Sequence, residues 1–352
     1  MAQNDDGHGG AAPIGVGLIG AGLVVQSIHA PVLAAMRHRY TVRSVWDIMP
    51  ERAAQTANRC GAAPAASIDA LLADPLVDVV AICSPAQHHA AHAMAAILAG
   101  KRAVLVEKPL ATDAATLDVL HAAALAAGTV LMVGSMHLYD PAWQAAMAQC
   151  AQTPFAPHAV FSRIILPPNG RFEQWATQPL APANPPMPAM SADQLMRLCV
   201  LELAIHDLPL VRRLLPADAA VHVQSARLLN PFGYAITLDA GGVAVELLGA
   251  MHGHSHTDWR LDAVARDAHL RVDFTPSFVA AGSGRMAWTT AHGTTMHHHA
   301  PTNGYAGEWA MLADILSGAH APPDPADAVA DARFALSIAD QCSAIMAHGV
   351  AA

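Results

Sequence analysis

Charge is scarce in this chain. Only 13% of its 352 residues are Asp, Glu, Lys or Arg, against 53% hydrophobic, so it can bury a substantial core, and its length suggests two domains or one large one. The 19 basic residues are outnumbered by 28 acidic ones, for a net charge of −9. No basic run or arginine-rich arm stands out, which argues against a nucleic-acid partner. Cysteine is also sparse. Cys60, Cys83, Cys150, Cys199 and Cys342 are scattered, odd in number and never spaced as CxxC, the pattern of reduced, buried thiols in a cytoplasmic protein rather than a disulfide framework.

Two long runs carry no charge at all, Ile14 to Met36 and Val119 to Tyr139. Neither reads as a membrane span or a signal peptide. Asp5 and Asp6 stand where a signal needs a positive region, four glycines and Pro31 interrupt the first run, and Gly128 divides the second. Both are expected to be buried elements. Residues 1–13, polar and glycine-rich, are expected to form a disordered leader.

From residue 14 to about 140, short apolar runs alternate with helical patterns. Candidate strands are Gly15–Ile19, Val42–Trp46, Val77–Ile82, Ala103–Val106 and Val130–Val133. Helical patterns cover Val24–Met36, Pro50–Cys60, His88–Leu98 and Asp113–Ala127. This rhythm predicts an α/β, doubly wound parallel sheet, a Rossmann-type domain. After Pro141 it changes: a strand over Ala159–Leu166, a proline-rich stretch over Pro167–Met190, and one apolar helix over Ala192–Leu215. Five closely spaced strand patterns follow between Val221 and Phe274, predicting a C-terminal α+β domain with an open, mainly antiparallel sheet over residues 141–324. Helices over Gly304–Leu316 and Pro325–His348 close the chain, with residues 325–352 expected to pack back near the first domain.

The chemistry concentrates at three places. Gly20 and Gly22 sit where the first strand should turn into a helix, so the backbone there, with Leu23 and Val24, can receive a pyrophosphate at the helix N-terminus. The third glycine of the fingerprint is replaced by Val25. Asp47 ends the second strand about 25 residues later, where an acid is expected to hold a ribose 2′-hydroxyl and to favour NAD over NADP. Glu107-Lys108-Pro109 follows a buried strand, where ligands of open α/β sheets bind. Glu202 and His206, four apart on the expected helix, share a face among apolar neighbours and need partners there.

Together these residues resemble the glucose-fructose oxidoreductase/inositol dehydrogenase (Gfo/Idh/MocA) family, from Ile14 to Gly349. The resemblance rests on Gly20-Ala21-Gly22, on Cys83-Ser84-Pro85-Ala86-Gln87-His88-His89, on Gly100 to Leu110 and on Leu201 to Leu208. It implies NAD(P)-linked oxidation or reduction of secondary alcohols of sugars, inositols and related polyols. It also implies a homodimer or homotetramer joined through the C-terminal sheet. Lys108 matches the lysine beside substrate and nicotinamide, His206 the general base, and Glu202 a position usually held by aspartate. Ser84, Pro85 and His89 match the loop flanking the cofactor, with Glu107 and Pro109 beside it. The chain departs from the family at Glu202, Ala86, Met136, Leu138 and Pro209. A dinucleotide-binding sensor without catalysis is the alternative.

Arg163, Arg171 and Trp175 are candidate substrate residues, the arginines suited to a carboxylate and the tryptophan to a sugar face. His252, His254 and His256 alternate as on one strand face, and His297-His298-His299 form a second group. Neither group has a nearby cysteine, and no metal is expected.

Overall fold

The computed structural model describes residues 12–167, 189–252, 257–276 and 282–349. The leader up to residue 11, most of the proline-rich stretch with Arg171 and Trp175, and His254 and His256 lie outside the described residues.

The first sheet holds β1 (Ile14–Ile19), β2 (Tyr40–Trp46), β3 (Ala63–Pro64), β4 (Val79–Ile82), β5 (Ala103–Val106) and β6 (Val130–Val133). All pair in parallel, in the order β3-β2-β1-β4-β5-β6, which places the topological switch point between β1 and β4. Strands β4 and β5 are buried at every position, as parallel strands covered by helices on both faces must be. The crossovers include α1 (Ala30–Ala35), α2 (Pro50–Cys60), α3 (Ile68–Ala73), α4 (His89–Leu98) and α5 (Ala114–Ala127). Their starts follow local chemistry: the Ser67 and Asp113 side chains accept the backbone N–H of Ala70 and Thr116, caps of about 1 kcal/mol each. Ahead of α1, Val25–His29 forms a π turn with Val25 wholly buried.

Helix α6 (Pro141–Gln152) leads to an eight-stranded sheet. Its strands are β7 (Pro157–Leu166), β8 (Val221–Leu228), β9 (Phe232–Ala240), β10 (Val243–Met251), β11 (Asp258–Ala265), β12 (Ala268–Asp273), β13 (Arg285–Thr290) and β14 (Gly293–His297). Their order is β14-β13-β12-β11-β7-β10-β9-β8. Only β7 and β10 pair in parallel; every other pair is antiparallel. The two predicted domain classes are both present.

The helix expected over Ala192–Leu215 is broken. Helix α7 (Ala192–Glu202) stops, a 3-10 turn covers Ala204–His206, and α8 (Leu208–Leu214) begins anew with Asp207 at its N-cap and Pro209 in its first turn. A proline has no backbone N–H and its ring clashes with the preceding turn, so it starts a helix and does not continue one.

Sequence order groups α9 (Gly304–Leu316) with the second domain, but its packing is with the first. Trp309, Leu312, Ala313 and Ile315 complete the core under β1, β2 and β5. Tyr40 donates its hydroxyl to the Trp309 carbonyl at 2.7 Å, Arg39 pairs with Asp314, and Arg102 donates to the Leu316 carbonyl. The C-terminal helix α10 (Pro325–Gly349) straddles both domains, packing on α5 and β6 of the first and on α7, α8 and β8 of the second. Asp331 receives Arg212 and Arg213, and Gln341 bonds the backbone of Val221 and Val223 along the outermost strand. Among the described residues no helix is long and apolar enough to cross a membrane. All five cysteines are free thiols.

Candidate active site

The carboxyl ends of β1, β4, β5 and β6 bring four loops together. Gly20 follows β1 with φ of +94°, and a Cβ there would lie 2.6 Å from the Cys83 carbonyl oxygen. The β1 and β4 loops are therefore in backbone contact, an approach that only glycine permits. Gly22 differs: nothing lies within 4 Å of where its Cβ would be. Open space at the start of a helix, over backbone N–H groups with no intrahelical partner, is the cradle a dinucleotide pyrophosphate requires. Leu23 and Val24 form the first turn there, half-buried.

Asp47 is buried at the tip of β2. Its Oδ2 accepts the Ala21 N–H and its Oδ1 the Met49 N–H, both at 2.8 Å, and Arg52 approaches to 3.8 Å. The acid thus fixes the glycine turn as well as marking the ribose side of the crevice. Beyond β4, Pro85 is exposed and Ser84 half-buried, with the Ser84 hydroxyl 3.0 Å from Nδ1 of His92. The buried His89 ring lies between two backbone carbonyl oxygens, that of Pro109 at 2.7 Å and that of Ser84 at 2.6 Å. It ties the β4 loop to the β5 loop.

Glu107 and Lys108 have different roles. Trp309 donates its indole N–H to Nδ1 of His29 at 3.1 Å, which leaves the imidazole hydrogen on Nε2 to be donated to Glu107 Oε1 at 3.0 Å. Burial alone would raise the Glu107 carboxyl, but the His29 bond and the charges around it outweigh burial and hold it below the usual carboxylate range. Glu107 anchors the turn from inside, a role different from the cofactor contact expected of it. Lys108, across a cis peptide from Pro109, is left half-buried, with no hydrogen bond or ion pair to its ammonium among the described residues.

From the second domain, the 3-10 turn brings His206 within range of this lysine's charge. Burial, the Lys108 charge and His137 together push the His206 imidazole well below its ordinary range, so it stands as a neutral ring. Its Nδ1 is buried without a hydrogen-bond partner, and Trp259 packs on it edge-to-face at 5.3 Å. The Lys108 charge thus acts on the imidazole of His206 across the two domains.

Two expectations are corrected. Glu202 is exposed and does not bond His206. The break after α7 abolishes the shared helix face that spacing by four would have given. Arg163 lies on the outer face of β7, pairing with Asp258 at 3.2 Å. Its neighbour Ser162 points inward and donates to Asp207 at 2.7 Å. Strand alternation puts the arginine on the wrong side of the sheet for this cleft.

Three residues that sequence reasoning did not single out complete the site. Asp207 is wholly buried, accepting from Ser162 and from the Trp259 indole at 2.8 Å. His137, on the 3-10 turn after β6, has Nδ1 3.4 Å from Asp207 and stacks on Phe274 at 4.0 Å. Its ring centre is 6.4 Å from that of His206. The signal for Asp207 was present in the Asp-Leu-Pro helix start; nothing local marked His137 or Trp259. Among the described residues no group of three or more His, Cys, Asp or Glu is placed to hold a metal.

Residues 14–135 match the oxidoreductase family with NAD-binding Rossmann fold, Gfo/Idh/MocA. An inositol 2-dehydrogenase of Acidothermus cellulolyticus is 38% identical over 130 residues, 36% of this chain and 38% of the relative. A UDP-N-acetylglucosamine 3-dehydrogenase of Acidithiobacillus ferrooxidans is also 38% identical over 130 residues, 36% of this chain and 39% of the relative. These alignments thus span less than half the length of either relative. A solved structure of the latter enzyme superposes with a TM-score of 0.72 at 21% identity, over 96% of this chain and all of that one. A 3-ketoreductase from Actinomadura kijaniata, in complex with NADP and TDP-benzene, gives 0.70 at 22% identity over 93% of this chain and 96% of that one. At these identities the structural likeness is one of fold. Residues 14–135 thus match the NAD-binding Rossmann domain of the Gfo/Idh/MocA oxidoreductase family, and over the rest of the chain the likeness is one of fold.

Proposed function

We propose that the protein is an NAD(P)-dependent oxidoreductase that moves a hydride between nicotinamide and a secondary alcohol or ketone of a sugar, inositol or related polyol. The observation that carries this reading is that the charge of Lys108, at the end of β5, reaches the buried His206 of the second domain and helps to keep its imidazole neutral. The relatives support it, being named inositol and UDP-sugar dehydrogenases and a ketoreductase.

The dinucleotide, held by the Gly20-Ala21-Gly22 turn, Leu23, Val24, Asp47 and the Ser84-Pro85 loop, supplies the hydride chemistry when bound. Lys108 stabilises negative charge that develops on the substrate oxygen. His206, neutral at physiological pH, accepts the hydroxyl proton during oxidation and returns it during reduction. His89 and Glu107 act behind them by fixing the two loops that carry Ser84 and Lys108. We infer NAD over NADP, because Asp47 places a carboxylate where a 2′-phosphate would otherwise sit. We further assign the protein to the cytoplasm, as a homodimer or homotetramer joined through the outer face of the eight-stranded sheet. That face carries interleaved charges in Arg163, Asp258, Arg260, Asp262, His269 and Arg271.

A screen of inositols, sugars, sugar acids and nucleotide sugars, with NAD and NADP and absorbance at the NADH band, tests the assignment. Turnover of at least one polyol or sugar is expected. The competing reading, a dinucleotide-binding sensor, is favoured by the exposure of Glu202. It predicts cofactor binding with no turnover anywhere in the panel.

A further inference from the structure

Two imidazoles meet at the domain boundary, with 6.4 Å between ring centres, and among the described residues only His137 has an acid within ion-pair distance. Neither Nδ1 makes a hydrogen bond, but that of His137 lies 3.4 Å from Oδ1 of Asp207. Three groups converge on that carboxyl, the Ser162 hydroxyl, the Trp259 indole and the His137 ring. A carboxylate only accepts, so its nearness favours the tautomer of neutral His137 with the hydrogen on Nδ1 and the lone pair on Nε2. The ring cannot swing, being stacked on Phe274 with 9° between the planes and packed against Trp259 at 4.5 Å. A buried acid behind a fixed imidazole stabilises the imidazolium when it forms. With 6.4 Å between ring centres, and the Lys108 charge also acting on His206, the two rings disfavour simultaneous protonation.

We propose that His137 and Asp207 form a proton-holding pair behind His206, so that the proton taken from the substrate comes to rest on His137. The proposal rests on the hydride-transfer reading of the site. In the oxidative direction the carbinol C–H bond breaks, its electron pair leaving as hydride to the bound nicotinamide. The O–H bond breaks to give C=O, and its proton enters one nitrogen of His206. His206 then gives up the hydrogen on its other nitrogen to Nε2 of His137, directly or through one water. His206 is neutral again, and the charge sits on His137 against Asp207. Reduction follows the same path backwards. His137 and Asp207 act through His206 and are positioning residues. The other ionisable groups around these residues are Lys108, whose charge acts on His206; Asp140, which accepts the backbone N–H of Ala142 and Gly284; and Tyr234, whose phenol burial and the Asp207 charge keep protonated.

The test compares pH profiles of kcat and KM for the full-length wild type, His137→Asn, Asp207→Asn and the double variant, on a substrate from the panel. Each single variant is expected to lose tenfold or more in kcat with KM changed less than threefold. The acid limb of the profile should move, and the double variant should be no slower than the slower single one, as for residues acting as a unit. An unchanged profile in His137→Asn, or losses that multiply in the double variant, would overturn the pair. Because Asp207→Asn also disturbs Ser162 and Trp259, a second arm uses the cofactor-free wild type. Histidine labelled with 13C at Cε1 is titrated by NMR, with peaks assigned from His137→Asn and His206→Asn. His137 is expected to take up a proton at higher pH than His206; the reverse order overturns the proposal. Should no panel member turn over while His137 still protonates first, the redox reading fails and the proton pair stands.

Discussion

Lys108 and His206 belong to different domains, yet the ammonium of the first helps to hold the imidazole of the second uncharged. Lys108→Ala and His206→Ala should each lower kcat about 10²–10⁴-fold, the range for loss of a general acid–base or charge-stabilising group. The dissociation constant for NAD, read by titration calorimetry, should change by less than about threefold, since neither residue is part of the glycine turn. Wild-type rates from both variants would remove the assignment.

The two glycines of the first turn predict opposite outcomes. Gly20→Ala places a Cβ at φ of +94° and 2.6 Å from the Cys83 carbonyl, so it should lower thermal stability by several degrees, through strain on the order of 1–3 kcal/mol. Gly22→Ala meets open space in the protein and should leave Tm within about a degree. It should still weaken dinucleotide binding tenfold or more, because the added methyl occupies the pyrophosphate's path. Equal effects on Tm would show that the open space is not a ligand cradle.

Asp47→Ser should raise KM for NAD and shift the NADP/NAD preference toward NADP by tenfold or more, measured as the ratio of kcat/KM. The same change removes an acceptor from the Ala21 N–H, so some loss with both cofactors is expected. An unaltered ratio would mean that Asp47 serves the turn alone.

Glu308 predicts a pH effect on stability. Its carboxyl is wholly buried, neither oxygen has a hydrogen-bond partner, and burial followed by the Glu107 charge pushes it well above the ordinary value of 4.5. The folded state keeps the proton where the unfolded chain releases it. Its contribution to stability is therefore fully present below about pH 4.5 and declines as pH rises, by up to about 1.4 kcal/mol per pH unit until the folded carboxyl ionises. Tm of Glu308→Gln should gain on wild type between pH 5 and pH 7. A constant difference across that window would show that Glu308 is ionised in the fold.

Most of the first domain was legible because its evidence is local. Val104-Leu105-Val106 could only be a buried strand, and the charges after it could only sit at its rim. The eight-stranded sheet was readable as strands, but β13 and β14 escaped because their threonines and histidines give little apolar alternation. Glu202 misled for a physical reason: a spacing of four is meaningful only if the helix is continuous, and Pro209 had already started another one. His137, Asp207 and Trp259 come from three separate segments. Their meeting depends on how the two domains are set against each other, which periodicity within a segment does not encode.

The placement of α9 has a consequence for how this protein can be divided. The chain leaves the nucleotide domain, builds the entire outer sheet, and returns to lay Trp309 against His29 and Tyr40. The second domain is thus an insertion rooted at both ends, not a tail. A fragment cut at residue 140 would unroof one side of its own sheet and strip His29 of the donor that fixes its tautomer, loosening Glu107 and the lysine next to it. Separating the cofactor half from the substrate half requires excising the middle and keeping the end.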